Sequence, residues 1–344
     1  GITMFVSLYT TRLLLISLGA SDFGIFNVVG GAIAMLGFLN AAMATATQRF
    51  MSIAEGEGNP DKKKSIFNIS VILHLVIALL LGLILLGIGY FFFNGILNIP
   101  SDRLYAAKVV YAGMIISTMF TVMTVPYDAV LNTHENMLYY AVVGIIESFL
   151  KLAVAFIVVY TLQDKLIVYG ILMAVISLFI MLIMRIYCHK HYEECVISPK
   201  RYWNREVSRE MTRFAGWNLL NNASAMISQY GLGIVLNNFF GTILNAAQGI
   251  ANQISGQLMA FSNTMIKAVT PVIAKSEGAG DRDKMLYTSL LSAKYSFLLF
   301  AFFAIPFLLE TPYILRIWLK NIPEWAVVFV RLQLIRLLIE QLTI

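Results

Sequence analysis

The chain has 344 residues, of which 59% are hydrophobic and 13% charged, and it carries a formal net charge of +6 and 2 cysteines. Soluble domains contain about 45–50% apolar and about 25% charged residues, so a water-soluble enzyme and a disordered chain are both excluded. The cysteines are too few for a disulfide scaffold. Because the basic residues gather in loops beside apolar segments, the charge does not indicate nucleic acid as a partner. The composition predicts a multi-pass helical membrane protein.

Ten apolar segments follow one another along the chain, separated by polar turns. They cover about residues 2–18, 25–50, 66–93, 106–131, 138–160, 166–187, 214–240, 244–273, 285–309 and 325–344. Most exceed the ~20 residues that a helix needs to cross a bilayer. We therefore predict an all-α polytopic protein with about ten transmembrane helices. Because the sequence starts and stops inside apolar segments, we expect it to be a fragment of a longer chain.

Basic residues are distributed unevenly over the loops. If the first helix leaves the cytoplasm, the cytoplasmic loops hold Lys62, Lys63, Lys64, Arg185, Lys190, Lys200, Arg201, Arg205, Arg209, Arg213, Lys275, Arg282 and Lys284. The outer loops then hold Arg103, Lys165, Arg316 and Lys320. This bias fits the positive-inside rule. The longest loop, 189–213, is basic and amphipathic, and it predicts an interfacial cytoplasmic connector between an N-lobe (1–188, helices 1–6) and a C-lobe (214–344, helices 7–10).

An internal repeat supports the two lobes. Residues 55–62 (EGEGNPDK) match residues 277–284 (EGAGDRDK) at five of eight positions, at an offset of 277 − 55 = 222 residues. The same offset pairs Gly19 with Gly241, and each match falls at a corresponding point of the hydropathy pattern. Six helices separate the copies, an even number, so both copies face the same side of the membrane. The pattern predicts two parallel-repeat six-helix bundles around a central cavity, as in transporters.

The sequence has no arrangement of residues typical of an active site. Its histidines lack a Ser, Cys or carboxylate partner in a nucleophile pattern, and no P-loop of the form GxxxxGK[ST] is present. Cys188 and Cys195 flank His189 and His191, but their spacing fits no zinc pattern and the stretch is a basic loop. We therefore predict a transporter rather than an enzyme, without catalytic residues, cofactor or metal.

Cations inside the predicted helices are the candidate binding residues, because a charge there is costly unless it has a wet cavity or a partner. Arg12 follows the polar residues 9–11, which suggests a cavity. Arg49 lies near the inner end of the second helix, where a functional role and an interfacial anchor are equally open. Lys267 corresponds through the repeat to Thr45, one turn from Arg49, so the two lobes carry cations on equivalent faces.

Two acidic residues inside the N-lobe helices have more than one interpretation. Glu147 and Lys151 form an i,i+4 pair with the acid first, the favoured order. They make either a structural ion pair or a contact to substrate or coupling ion. Asp128, two residues after Pro126, is a candidate for ion binding at a helix kink, although it lies close to the inner interface.

Four segments carry a family resemblance: YTTR at 9–12, LGASDFG at 18–24, QRF at 48–50 and NAAQGIA at 245–251. They resemble bacterial polysaccharide flippases of the Wzx type, in the multidrug/oligosaccharidyl-lipid/polysaccharide (MOP) exporter superfamily. The resemblance implies export of undecaprenyl-pyrophosphate-linked oligosaccharides across the inner membrane for O-antigen, lipopolysaccharide or capsule assembly. It implies pyrophosphate contacts for Arg12, Arg49 and Lys267, since basic residues of the first, second and eighth helices have this role in related lipid II flippases. Polysaccharide polymerase and glycosyltransferases are implied as partners.

Two other classes of protein compete with the flippase. A multidrug and toxin extrusion cation antiporter has the same fold, but it typically needs a buried carboxylate in the first or seventh helix, and here the first helix carries Arg12. Cations in a cavity favour an anionic substrate. A membrane-embedded glycosyltransferase or ligase needs large outer loops with carboxylates, and the outer loops here are short. The sequence thus favours a flippase that works by alternating access and draws energy from an ion gradient.

Overall fold

The computed structural model describes the backbone of residues 2–96, 99–319 and 323–343, with their side chains except for part of those in 2–38, 95–96, 225–246, 318 and 343. Lys320, one of the predicted outer-loop cations, lies outside the described residues. Helices fill most of the described chain. They are α1 (Ile2–Met35), α2 (Gly37–Gly56), α3 (Pro60–Phe91), α4 (Leu104–Thr133), α5 (Met137–Tyr160), α6 (Lys165–His191), α7 (Pro199–Tyr202), α8 (Arg205–Gly278), α9 (Arg282–Leu309), α10 (Thr311–Trp318) and α11 (Ala326–Glu340).

Five spans in the described part are long and apolar enough to cross a membrane. They are Pro60–Asn94, Leu104–Thr133, Met137–Tyr160, Lys165–His191 and Arg282–Leu309. Their outer faces expose large apolar side chains, such as Leu83 at 71% and Leu86 at 59%. Exposed apolar faces on helices long enough to span a bilayer indicate contact with lipid. The predicted multi-pass helical membrane protein is confirmed, and the other predicted crossings stay predictions.

The helices at the two ends of the chain differ from the predicted segments. α1 holds a non-helical residue, Gly19 (φ 75°, ψ 169°), at the predicted break between the first two segments. The second predicted segment, 25–50, is not one helix, because a turn at Leu36 separates α1 from α2. Both segments 214–240 and 244–273 lie within α8. In the last segment, α11 ends at Glu340 and a 3-10 helix follows at Gln341–Thr343.

The chain divides into two compact units, one of Gly1–Ala54 with Asn59–Leu219 and one of Glu55–Gly58 with Leu220–Ile344. The predicted boundaries 1–188, 189–213 and 214–344 stay predictions. In the second unit, a buried cluster around Phe300, Leu315 and Leu334 joins α8, α9, α10 and α11. In the first unit, α4 and α6 lie so close that a Cβ added to Gly113 would come within 2.7 Å of the Gly170 carbonyl oxygen.

Ion pairs close one end of the first unit, where α4 and α6 begin. The guanidinium of Arg103 bonds Asp22 of α1, with Nε to Oδ1 at 2.8 Å, and Asp164 before α6, with Nη1 to Oδ2 at 2.7 Å. Asp164 also accepts from the backbone N–H of Leu166, which caps α6. Burial acts to raise the pKa of Asp164, but the bonds from Arg103 and the α6 backbone outweigh it, so this pKa lies below its usual value.

The opposite end of the first unit, here called the connector end, holds the α4–α5 turn and the chain after α6. His134 Nε2 lies 2.5 Å from the buried carboxylate of Glu194. Asn68 of α3 fixes the next stretch, since its Nδ2 donates to the Val196 carbonyl and its Oδ1 accepts from the Ser198 N–H, both at 2.7 Å. Turns therefore alternate between the two ends from α3 to α6, so successive helices in this stretch run in opposite directions.

The two copies of the sequence repeat fold into the same turn. Gly58 has φ 64° and Gly280 has φ 72°, in the left-handed region that favours glycine. The N–H of Gly58 donates to the carbonyl of Glu55 at 3.0 Å, and the N–H of Gly280 donates to the carbonyl of Glu277 at 3.1 Å. The motif thus occurs twice in the chain because each copy forms the same turn between two helices.

Candidate functional site

A cavity of about 490 Å³ lies at the connector end of the first unit and is called here the basic groove. It is lined by Arg49, Phe50, Ile53, Lys62, Glu210, Arg213, Phe214 and Trp217. The last turns of α2 and the first turns of α8 bring most of these side chains together. Three cations against one carboxylate give the groove a positive charge. Four apolar side chains give it an apolar wall.

Arg49 is held in this groove by an aromatic ring. Its Cζ lies 4.5 Å from the centroid of the Phe214 ring, and the Phe50 and Phe214 rings meet edge to face at 6.1 Å. A guanidinium over a ring face gains about 0.5–1 kcal/mol at an exposed site. The contact fixes the direction of an exposed cation, so the groove presents a charge-assisted donor in a defined place.

A larger cavity of about 730 Å³ adjoins the basic groove and is called here the vestibule. It is lined by Asn59, Asp61, Lys62, Ser65, Arg201, Tyr202, Trp203, Asn204, Glu206, Val207 and Glu210. Its volume lies within the range of about 300–1,000 Å³ typical of ligand pockets. Lys62 and Glu210 line both cavities, so the two are neighbours.

Two helix caps build the walls of the vestibule. Asn59 caps α3 by accepting from the Lys62 N–H at 3.0 Å. Asn204 caps α8 by accepting from the N–H of Glu206 at 2.9 Å and of Val207 at 3.2 Å. Asparagine is common at the N-cap because its side-chain oxygen accepts from backbone N–H groups that the first helical turn leaves unpaired. The caps set where both helices begin and therefore where their first-turn side chains lie.

The predicted acids share a third cavity, inside the bundle of α4, α5 and α6. This acidic cavity of about 230 Å³ is lined by Thr121, Thr124, Asp128, Tyr140, Val143, Gly144, Glu147, Ser177, Ile180 and Met184. Two carboxylates and several hydroxyls therefore face one space within three membrane-spanning helices. Oxygen donors of this kind suit a proton or a small cation.

Glu147 and Lys151 form the ion pair that their spacing predicts. Lys151 Nζ lies 2.6 Å from Glu147 Oε1, and both side chains are about two-fifths exposed. An exposed i,i+4 pair contributes little to stability, about 0.3–0.5 kcal/mol. Whether this pair is structural or contacts a substrate or coupling ion stays a prediction, and so does the role of Asp128.

Among the described residues, Arg49 alone of the three predicted pyrophosphate cations lines one of the three cavities. Arg49 lines the basic groove with Lys62 and Arg213. Arg12 of α1 and Lys267 of α8 both have exposed side chains, and within the described residues neither lines one of the three cavities. Arg12 belongs to the first unit and Lys267 to the second. Their shared role stays a prediction.

Sequence reasoning missed the connector as a site. It treated residues 189–213 as a link between lobes, whereas Arg201, Tyr202 and Trp203 form one wall of the vestibule. The usable signal was the mixture of aromatic and charged residues around Trp203. A purely solvated linker does not need two adjacent aromatic side chains, so their presence could have indicated a binding surface.

Comparisons with known proteins identify the fold. No protein-family model and no curated protein matches the chain. An outward-facing multidrug resistance MATE family transporter of the MOP superfamily matches with a TM-score of 0.81 at 16% identity, over 99% of this chain and 77% of that one. A MATE in complex with MaL6 matches at 0.76 and 16% identity, over 99% and 77%. The fold is therefore that of MATE transporters.

A further solved structure with the same fold is described as having a different function. A MOP superfamily transporter from Pyrococcus furiosus, described as having a binding pocket of reverse polarity that suggests a different function, matches with a TM-score of 0.76 at 17% identity. The match covers 99% of this chain and 76% of that one. The helices and the fold together define a multi-pass membrane protein with the architecture of MOP superfamily transporters.

Proposed function

We propose that this protein exports undecaprenyl-pyrophosphate-linked oligosaccharides across the bacterial inner membrane, in O-antigen, lipopolysaccharide or capsule assembly. The observation that carries the proposal is the basic groove, where Arg49, Lys62 and Arg213 outnumber Glu210 beside an apolar wall. A pyrophosphate carries several negative charges and is bound best by charge-assisted donors. The apolar wall suits the first units of a lipid chain.

The proposed mechanism is alternating access. A polar oligosaccharide cannot cross hydrocarbon unaided, because each unpaired hydroxyl is costly to desolvate. Alternating access needs two bodies that move against each other, and the chain divides into two compact units. In this proposal Arg12 and Lys267 contact the pyrophosphate during passage, glycosyltransferases supply the lipid-linked substrate and a polysaccharide polymerase consumes it.

Transport in proteoliposomes tests this function. We expect the wild-type protein to move an undecaprenyl-pyrophosphate-linked saccharide across the bilayer, and Arg12→Ala, Arg49→Ala and Lys267→Ala to slow it at normal protein abundance. Arg12→Lys should also slow it, since Lys lacks the bidentate fork. Arg336→Ala is the matched control, because Arg336 is an exposed cation paired with Glu340 at 2.7 Å. Wild-type rates in all three Ala variants would refute the site assignment.

A multidrug cation antiporter is the second candidate, and two findings favour it. The solved structures that match the fold include multidrug MATE transporters, and the acidic cavity offers Asp128 and Glu147 to a coupling ion. The two functions differ in substrate charge. Export of a cationic dye without movement of lipid-linked saccharide would select the antiporter, and the reverse result would select the flippase.

A further inference from the structure

The two neighbouring cavities at the connector end differ in charge. The vestibule has three carboxylates, Asp61, Glu206 and Glu210, against two cations, Lys62 and Arg201. The basic groove has one carboxylate, Glu210, against three cations. The groove therefore favours an anion, whereas the vestibule has a small excess of acceptors and favours a neutral ligand rich in hydrogen-bond donors.

The vestibule also holds an unused polar group. Ser65 is only 7% exposed, and its Oγ is buried without a hydrogen-bond partner in the described part of the chain. A buried hydroxyl left unpaired loses free energy that a ligand hydroxyl would restore. Ser65 lines the cavity, so its unpaired hydroxyl is the candidate hydrogen-bond partner for a molecule bound there.

Two aromatic side chains, Tyr202 and Trp203, line the same cavity as these polar groups. Trp203 is 45% exposed, and Tyr202 lies beneath the Arg201 guanidinium, whose Cζ is 5.3 Å from its ring centroid. Flat rings pack against the apolar C–H faces of a sugar, while carboxylates, amides and guanidinium groups bond its hydroxyls. The wall is fixed in place because Asn68 holds Ser198, just before Pro199 and Tyr202.

We propose that the connector end is a cytoplasmic loading site for a lipid-linked saccharide, in which the vestibule binds the first sugars and the basic groove binds the adjoining pyrophosphate. The shared residues Lys62 and Glu210 stand where the sugar joins the phosphate. Phe214 and Trp217 also line the groove, and in this proposal they contact the start of the prenyl chain. The inference rests on the proposed function and adds to it a recognition step on the first unit alone.

Equilibrium binding to the full chain in detergent tests whether the vestibule binds the sugars and the basic groove binds the pyrophosphate. The probes are undecaprenyl pyrophosphate and the same lipid carrying a disaccharide. We expect Trp203→Ala to weaken binding of the saccharide lipid on the order of tenfold and to leave the sugar-free lipid unchanged, because aromatic anchors dominate such contacts. Ser65→Ala should act in the same direction by a few-fold. Arg213→Ala should weaken both probes equally.

Trp325→Ala serves as the matched control, since Trp325 is similarly exposed at 53% but lies in the second unit. Equal weakening of both probes by Trp203→Ala, or no weakening of either, would overturn the sugar assignment while the flippase proposal stands. Binding of the sugar-free lipid no tighter than phosphatidylglycerol would overturn the groove as a pyrophosphate site. Failure of wild-type transport in proteoliposomes, measured separately, would count against the proposed function itself.

Discussion

Lys62, in the first turn of α3, and Glu210, in the second turn of α8, each line both the vestibule and the basic groove. The two residues come from helices that begin 145 positions apart, at Pro60 and Arg205 (205 − 60). One positive and one negative side chain thus mark the boundary between the cavities. A single substitution of either residue therefore changes the charge of both cavities.

Glu210→Gln should strengthen binding of undecaprenyl pyrophosphate. The substitution removes the carboxylate that repels an anion in the groove, an effect of about 1 kcal/mol for exposed charges at ~4 Å, or roughly fivefold in affinity. Salt at ~1 M should abolish the gain, because it screens exposed charges. Binding titrations at low and high salt measure it. Glu206→Gln, which changes the vestibule alone, is the control, and weaker binding by Glu210→Gln would contradict the electrostatic argument.

Asn68→Ala should release the connector. The fully buried amide bonds both the Val196 carbonyl and the Ser198 N–H, and its loss leaves these groups without their α3 partner, at a cost of about 1–3 kcal/mol. Limited proteolysis should then cut residues 192–204 faster than in the wild type. In the control variant Asn263→Ala, at an exposed site of α8, the protease should cleave the connector at the wild-type rate. Equal cleavage in both variants would show that Asn68 does not hold the connector.

Glu194 should make stability depend on acid pH. Burial acts to raise the pKa of Glu194, but the hydrogen bond from His134 and the neighbouring charges outweigh it, so the folded pKa lies below the usual value of 4.5. A lowered carboxyl pKa adds stability above the unfolded pKa, and this stability is lost as pH falls through the folded value. Glu194→Gln should therefore cost about 1.5–3 kcal/mol at pH 7, and the cost should shrink progressively as the pH falls below 4.5 toward the folded pKa. Thermal unfolding in detergent across this pH range measures the cost, and a loss that does not change with pH would exclude the ionised carboxylate as its cause.

Gly113→Ala should destabilise the first unit by about 1–3 kcal/mol. The new Cβ would lie 2.7 Å from the Gly170 carbonyl oxygen, a backbone atom that cannot move without shifting α6. Gly87→Ala is the control, since nothing lies within 4 Å of its added Cβ, and it should be neutral or stabilise α3 by up to about 1 kcal/mol. Unfolding temperatures in one detergent compare the two variants. Similar temperatures would mean that the α4–α6 contact tolerates a methyl group.

Much of the fold could be predicted because hydropathy and turn chemistry act locally. The four apolar segments predicted between Ile66 and Tyr187 correspond to α3, α4, α5 and α6. Gly58 and Gly280, which the sequence repeat pairs, occupy equivalent turns. The break at Leu36 was missed, since hydropathy alone does not reveal a turn inside an apolar segment. The Gly37 that follows Leu36 was the available clue.

The site could be predicted less well, because its residues meet only through tertiary packing. Arg49 was identified from its position inside a helix, but Arg213 and Trp203 were assigned to a linker. Nothing in the sequence shows that the start of α8 packs beside the end of α2, which is what creates the basic groove. The ion pairs of Arg103 with Asp22 and Asp164 were missed for the same reason.

Asp128→Asn tests the coupling prediction. Its carboxylate faces the acidic cavity with Glu147, while Glu147 is paired with Lys151 at 2.6 Å. Asp128 is therefore the acid of this cavity best placed to exchange a proton or bind Na⁺, and the amide keeps its shape without its charge. We expect transport by Asp128→Asn to stop responding to an imposed proton or sodium gradient, while the wild-type rate rises several-fold.

The matched control for coupling is Glu340→Gln, an exposed acid paired with Arg336 on α11, which should keep the gradient response. Glu147→Gln separates the two roles that the sequence left open, because a structural pair predicts a small loss of stability with coupling intact. If Asp128→Asn responds to the gradient as the wild type does, this cavity does not couple transport to an ion. If only Glu147→Gln loses the response, the coupling carboxylate is Glu147, and Lys151 is the cation that it releases when it is protonated.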